Sequence, residues 1–170
     1  MDRRKIQELL VYIAKKSLHD PRFGRTKLNK ILFYSDLISY KRLSKTITGV
    51  EYEHWDMGPV PKEIEDFKNE ILVSASSPLA ESKTTFFDKT QYRLIALRDP
   101  DLKSFTPDEI AIIDEVITEL WERTGSEASA LSHLELGYQI TRRNEKIPLA
   151  AALINTDPPT ESEIASGRYQ

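Results

Sequence analysis

The side chains able to do chemistry are few and scattered. Three histidines, His19, His54 and His133, lie on three separate segments, with no second metal ligand at i+3 or i+4 from any of them. His19-Asp20 and His54 with Asp56 each offer two ligands and no nearby third, short of what a zinc site needs. Cysteine is absent, which excludes disulfides, thiolate metal sites and a cysteine nucleophile. The glycines Gly24, Gly49, Gly58, Gly125, Gly137 and Gly167 stand alone and form no phosphate-cradling loop. No serine sits in a nucleophile-elbow context. Glu63, Glu65, Asp66 and Glu70 crowd one short segment, the pattern of a solvated helix face rather than of a paired acid and base. No catalytic residue, metal or cofactor is assigned, and an enzyme is not expected. His54, flanked by Tyr52 and Trp55, and His133 read as structural histidines.

A second chemistry is phosphate contact. Lys27, Lys30, Tyr34, Lys41 and Arg42 set basic and aromatic groups on or beside one helix, as a nucleic-acid-binding surface does. A pI near 5.7 opposes nonspecific attraction to phosphate. No zinc or glycine-bearing helix-turn-helix signal accompanies the lysines, so a nucleic-acid-binding regulator is the lesser reading. The overall charge of −3 conceals an asymmetry: residues 1–46 hold 12 Lys/Arg against four carboxylates, a net +8, and the other 124 residues carry −11. Either the two segments offer different faces to partners, or they pair inside one fold. Oppositely charged segments of a small domain often lie near one another, which favours the second.

These residues must be positioned by the elements around them. With 170 residues, 39% apolar and 30% charged, the chain has the size and balance of one soluble domain with a real core. Residues 3–16 place Ile6, Leu9, Leu10, Ile13 and Ala14 at helical spacing. After Pro21 and Gly24, Thr26 is the expected N-cap of a helix to about Leu43. That helix is apolar around most of its circumference and is expected to be central. Residues 47–55 alternate as a half-exposed strand, 56–61 read as a rigid turn, and 62–72 as a short helix with Ile64, Phe67, Ile71 and Leu72 inward.

Residues 74–84 read as a polar loop, and 84–87 with 91–97 as a β-hairpin on a three-residue connection. Thr106-Pro107-Asp108-Glu109 is a capping box with proline at the first helical position. It starts a helix to about Thr124, stopped by Gly125. Ser126 is the expected cap of a fifth helix carrying Ala130, Leu131 and Leu134, and 148–154 a last short one. The expected fold is α+β, mainly helical: a compact bundle of about five to six helices with a small antiparallel sheet or hairpin. Residues 155–170 read as a flexible tail. The longest apolar run, Leu149–Ile154, is far short of the ~20 residues that span a bilayer, so a cytoplasmic protein without membrane attachment is expected.

The most specific stretch is 27–60. It reads Lys27-Leu28-Asn29-Lys30-Ile31-Leu32-Phe33-Tyr34-Ser35-Asp36, then Thr48-Gly49, Tyr52 and Trp55, then Gly58-Pro59-Val60. In this order it resembles the Panacea domain of SocA-like antitoxins. Leu131-Ser132-His133 is similar to that family's Leu-Ser-His segment, while Leu134–Tyr138 follows where a further tryptophan is more typical. The resemblance covers roughly 3–154, and residues 1–154 are taken as the domain. It implies a bacterial or phage-borne antitoxin that neutralises a cognate toxin, encoded by an adjacent gene, through direct binding. The candidate partner-binding or motif residues are Lys27, Lys30, Tyr34, Tyr40, Tyr52, Trp55, Met57, Gly58, Pro59, Val60 and His133.

Overall fold

The computed structural model describes residues 1–86 and 88–154, and the tail expected at 155–170 lies outside them. Helix α1 (Arg3–Lys16) starts where the Asp2 side chain accepts from the Lys5 N–H at 3.1 Å. Its apolar face, from Ile6 to Ala14, goes into the core. Helix α2 (Arg25–Leu43) is the centre of the molecule: 11 of its 19 residues are buried. It touches α4 (Pro107–Leu120), α5 (Gly125–Ser132), both sheets and the last helical turn. The expectation of a helix apolar on most sides holds, because neighbours cover it nearly all round. Its N-cap is Gly24 rather than Thr26, with no side-chain bond to the first turn.

Strands β1 (Tyr52–Trp55) and β2 (Gly58–Val60) form a hairpin across the two-residue turn Asp56-Met57, with Trp55 opposite Gly58. Residues 58–60 are therefore strand, not turn: an N–H-free Pro59 is tolerated because β2 lies at the edge of the sheet. β1 begins at Tyr52, later than expected, because the Ile47 and Thr48 N–H groups bond to the Asp36 carboxylate instead of to a neighbouring strand. β5 (Lys146–Ile147) pairs with the other side of β1, giving the order β2-β1-β5. Helix α3 (Lys62–Leu72) packs Ile64, Phe67 and Ile71 inward and leaves Leu72 half-buried.

The second sheet is the hairpin of β3 (Leu79–Phe86) and β4 (Lys89–Ala96). It is longer than expected and its connection shorter: β3 starts at Leu79, whose 2% exposure anchors a segment read as loop. The Thr106 capping box forms with Glu109 and starts α4 as expected. α4 stops at Leu120, however, because Thr124, not Ser126, makes a second capping box with Glu127 and begins α5 at Gly125. The buried residues of α5 are Ala128, Ser129 and Ser132, while Leu134 beyond it is 70% exposed. A short α6 (Leu136–Gln139), β5 and a 3-10 turn (Leu149–Leu153) complete the described chain. One core cluster runs from Ile6 to Ile147.

The charge asymmetry resolves into internal pairing. Eight basic residues of 1–46 meet carboxylates of the later segment: Arg3–Glu70, Arg4–Asp101, Lys5–Glu109, Lys15–Asp99, Lys16–Asp114, Arg22–Glu122, Arg25–Glu81 and Arg42–Glu115. Among the described residues no helix is long and apolar enough to cross a membrane.

Candidate functional site

The motif residues converge around the β1–β2 hairpin, and most of them hold it from beneath. The Asp36 carboxylate, fully buried on α2, accepts from Ile47 N at 2.7 Å, Thr48 N at 3.0 Å, the Thr48 hydroxyl and the Tyr52 hydroxyl at 2.8 Å. Burial pushes its carboxyl above the ordinary range, and these four donors oppose that by stabilising the anion. Gly49, between Thr48 and the strand, has φ +69°, a left-handed conformation that glycine adopts without a Cβ penalty. The Thr-Gly-x-x-Tyr spacing is thus a clamp that fixes the start of β1 to the central helix. Tyr52 packs edge-on against Phe33, ring centres 5.3 Å apart.

The other end of the hairpin rests on lysine and α5. Lys30 is 1% exposed, and its Nζ donates to the Pro59 carbonyl at 3.1 Å. Burial pulls its pKa down to about 7. Gly58 has φ +93°, and a Cβ there would lie 2.3 Å from Ser132 Oγ and 2.8 Å from Lys30 Nζ. Any other residue there is strained and must displace both side chains. The Ser129 hydroxyl donates to the Met57 carbonyl at 2.7 Å and the Ser132 hydroxyl to the Ser129 carbonyl at 2.7 Å. Tyr138 donates to the Trp55 carbonyl at 2.9 Å, and its ring stacks with both His54 (3.7 Å) and His133 (4.6 Å). Burial, then the Lys30 and His54 charges, hold His133 below the ordinary imidazole value.

The burial of the two lysines corrects the phosphate-surface reading. Lys27 is also 1% exposed; it donates to Asp20 at 2.5 Å and to the Trp121 carbonyl at 2.9 Å, with burial lowering its pKa. Neither lysine faces solvent. Arg42 is exposed but already held by both oxygens of Glu115, at 2.6 and 2.8 Å. Tyr52, one of the candidate partner-binding residues, has 0% exposure and cannot touch a partner. The residues turned outward are others. Met57 is 50% exposed at the hairpin turn. Trp55, Val60, Tyr34 and Tyr40 are half-buried. Trp55 donates to Glu53 at 3.1 Å, and the Arg143 guanidinium lies 5.8 Å over its ring while pairing with Asp56 at 3.0 Å.

Chemically this is a hairpin presented on a base of internal bonds. His54 and His133 are used in stacking, and no group of three His, Asp or Glu among the described residues is arranged to hold a metal. Sequence reasoning assigned no role to Ser129, Ser132 or Tyr138. Ser132 was visible beside His133, but Ser129 and Tyr138 act on backbone carbonyls some 70 to 80 residues away, which no local pattern encodes. A family model described as antitoxin SocA-like, Panacea domain, matches residues 28–136, from α2 to the start of α6. No curated protein and no solved structure matches.

Proposed function

The chain belongs to the family of SocA-like antitoxins with a Panacea domain, and from that we propose that it is the antitoxin of a toxin–antitoxin pair, neutralising a cognate toxin by direct binding in the cytoplasm. The observation that carries this is the family match over the stretch that builds the hairpin, joined to a hairpin whose underside is fully committed to internal bonds while its turn is open. Binding by occlusion needs no catalytic group; it needs a rigid, presented surface of ~800 Å². Trp55 and Met57, with Tyr34 and Tyr40 elsewhere on the surface, are the proposed contacts, since aromatic and methionine side chains dominate interface cores. Tyr52, Lys30, Gly58, Pro59 and His133 serve the reading indirectly, by fixing the hairpin. A regulator that grips nucleic acid loses Lys27 and Lys30 to the interior and is not favoured.

Co-expression with the product of the adjacent gene, scored for growth and for co-purification, tests the proposal. Rescue of a toxic neighbour in a stable complex supports it. A harmless neighbour, or a toxic one neither rescued nor bound, overturns it. Met57→Ala should then weaken the complex while its thermal midpoint stays within about 2 °C of wild type, because a half-exposed side chain contributes little to folding.

A further inference from the structure

Beside the hairpin turn a cleft of about 420 Å³ opens between the first turns of α2 and α5 and the far end of the β3–β4 hairpin. Its lining is unusual for a chain of net charge −3. Arg22, Arg25, Lys27 and Lys89 border it, and among the described lining residues there is no carboxylate. Met57 and Tyr92 add apolar surface, and the Arg25 guanidinium lies 4.8 Å over the Tyr92 ring. Lys27 is buried and engaged by Asp20, so it supplies field rather than contact. The other three are within reach of a ligand. Arg22 meets Glu122 only at 3.6 Å, and that carboxylate is 83% exposed; Arg25 bonds both Glu81 oxygens, at 3.2 and 3.3 Å, through Nη2 alone. Such surface pairs exchange readily for a better-placed carboxylate.

Gly125 lets the start of α5 approach α2 closely at the cleft, since a Cβ there would sit 3.2 Å from Thr26 Cβ. Most important is Met57: it belongs both to the exposed turn of the candidate interface and to this cleft, so the two are one continuous surface.

We propose that the cleft is the docking site for an acidic segment of the bound toxin, with a carboxylate side chain held between Arg25 and Lys89 and an adjacent apolar side chain on Met57 and Tyr92. This rests on the antitoxin reading for the identity of the partner, but the cleft's preference for an acidic peptide is its own property. A nucleic acid is disfavoured by what surrounds the cleft. An extended phosphate backbone needs a run of cations along its path, whereas here Glu81, Glu122 and Glu127 lie just beyond the cationic lining. The volume suits one or two side chains, not a strand of nucleotides. Charge complementarity of this kind sets specificity and association rate more than raw affinity.

The test has two independent arms. In the first, the isotopically labelled full chain is titrated with the peptide Ac-Asp-Leu-Glu-Phe-Asp-NH2 and with its uncharged counterpart Ac-Asn-Leu-Gln-Phe-Asn-NH2. The acidic peptide should shift the amides of residues 24–27, 89–92 and 124–126. It should bind at least tenfold tighter than the counterpart, and Arg25→Glu or Lys89→Glu should abolish that preference. Shifts confined elsewhere, equal response to both peptides, or none overturn the proposal. Stronger displacement of the same amides by a thymidine 20-mer overturns it in favour of nucleic acid. In the second arm the same two variants, with Lys103→Glu as a charge-matched control at an exposed position away from the cleft, are co-expressed with the adjacent gene product. Loss of rescue by R25E and K89E but not K103E supports the proposal. Full rescue by all three overturns the cleft while the antitoxin reading stands. If wild type itself fails to rescue, the antitoxin reading falls and the peptide arm alone decides the cleft. Thermal melts of each variant confirm that the fold is retained.

Discussion

The molecule spends its charged residues in two contrasting ways. Across the outer surface, the basic N-terminal segment meets the acidic remainder through pairs such as Arg4–Asp101 and Arg42–Glu115, with side chains mostly open to solvent. Inside, Asp36 and Lys30 beneath the β1–β2 hairpin and Lys27 against Asp20 and the Trp121 carbonyl are almost fully buried, and their polar groups are aimed at particular atoms. Surface pairs gain little, since water screens the attraction and long side chains lose freedom in making it. A buried group must satisfy its partners or pay the full desolvation penalty. The outer charges therefore balance the molecule, and the inner ones specify its shape at the site.

The largest effect should come from Asp36→Ala. It orphans two buried backbone N–H groups and two hydroxyls, each costing about 1–3 kcal/mol, so a loss of at least about 4 kcal/mol is expected in urea denaturation. That is most of the stability of a domain at the low end of the usual range of about 5–15 kcal/mol. A cost below about 1 kcal/mol would show that the buried clamp is no stronger than a surface pair. Gly58→Ala comes next, at about 2–4 kcal/mol, from its positive φ together with overpacking against Ser132 and Lys30. Ser132→Ala should recover part of it in a double-mutant cycle, because the nearest clashing atom is removed.

Lys30 gives the comparison a pH axis. Its ordinary value is 10.5 and its folded value about 7. Between these the unfolded chain holds a proton that the folded chain has released, so this residue makes stability rise with pH across the window, by at most about 1.4 kcal/mol per pH unit. Lys30→Met should remove that part of the slope in chemical denaturation between pH 7 and 9; an unchanged slope would mean that the amine stays protonated in the fold. The smallest effect should be Arg42→Ala, a slight loss of stability in urea denaturation that fades in 1 M salt.

Much of the fold was legible because its signals are local. The period of α1, the Thr106 capping box and the all-round apolarity of α2 each depend on neighbours within a few residues, and each appears where expected. Errors fell where a distant partner intervened. Residues 47–51 read as strand, yet the Asp36 carboxylate takes the Ile47 and Thr48 N–H groups; the cap of α2 is a local miss, Gly24 in place of Thr26. The site was harder still. Lys27 and Lys30 belong to the motif, but lysine is so seldom buried that the default places it in solvent.

By itself the sequence determined the class of the domain, its central helix, its family and the glycine positions of the motif, since period, capping and backbone freedom are properties of short segments. Only the tertiary structure decided which charges lie inside, that the +8 and −11 segments meet each other, and that Met57 joins an exposed turn to a cationic cleft. Those outcomes depend on contacts between residues far apart in the chain, whose desolvation and pairing are settled only when the core closes.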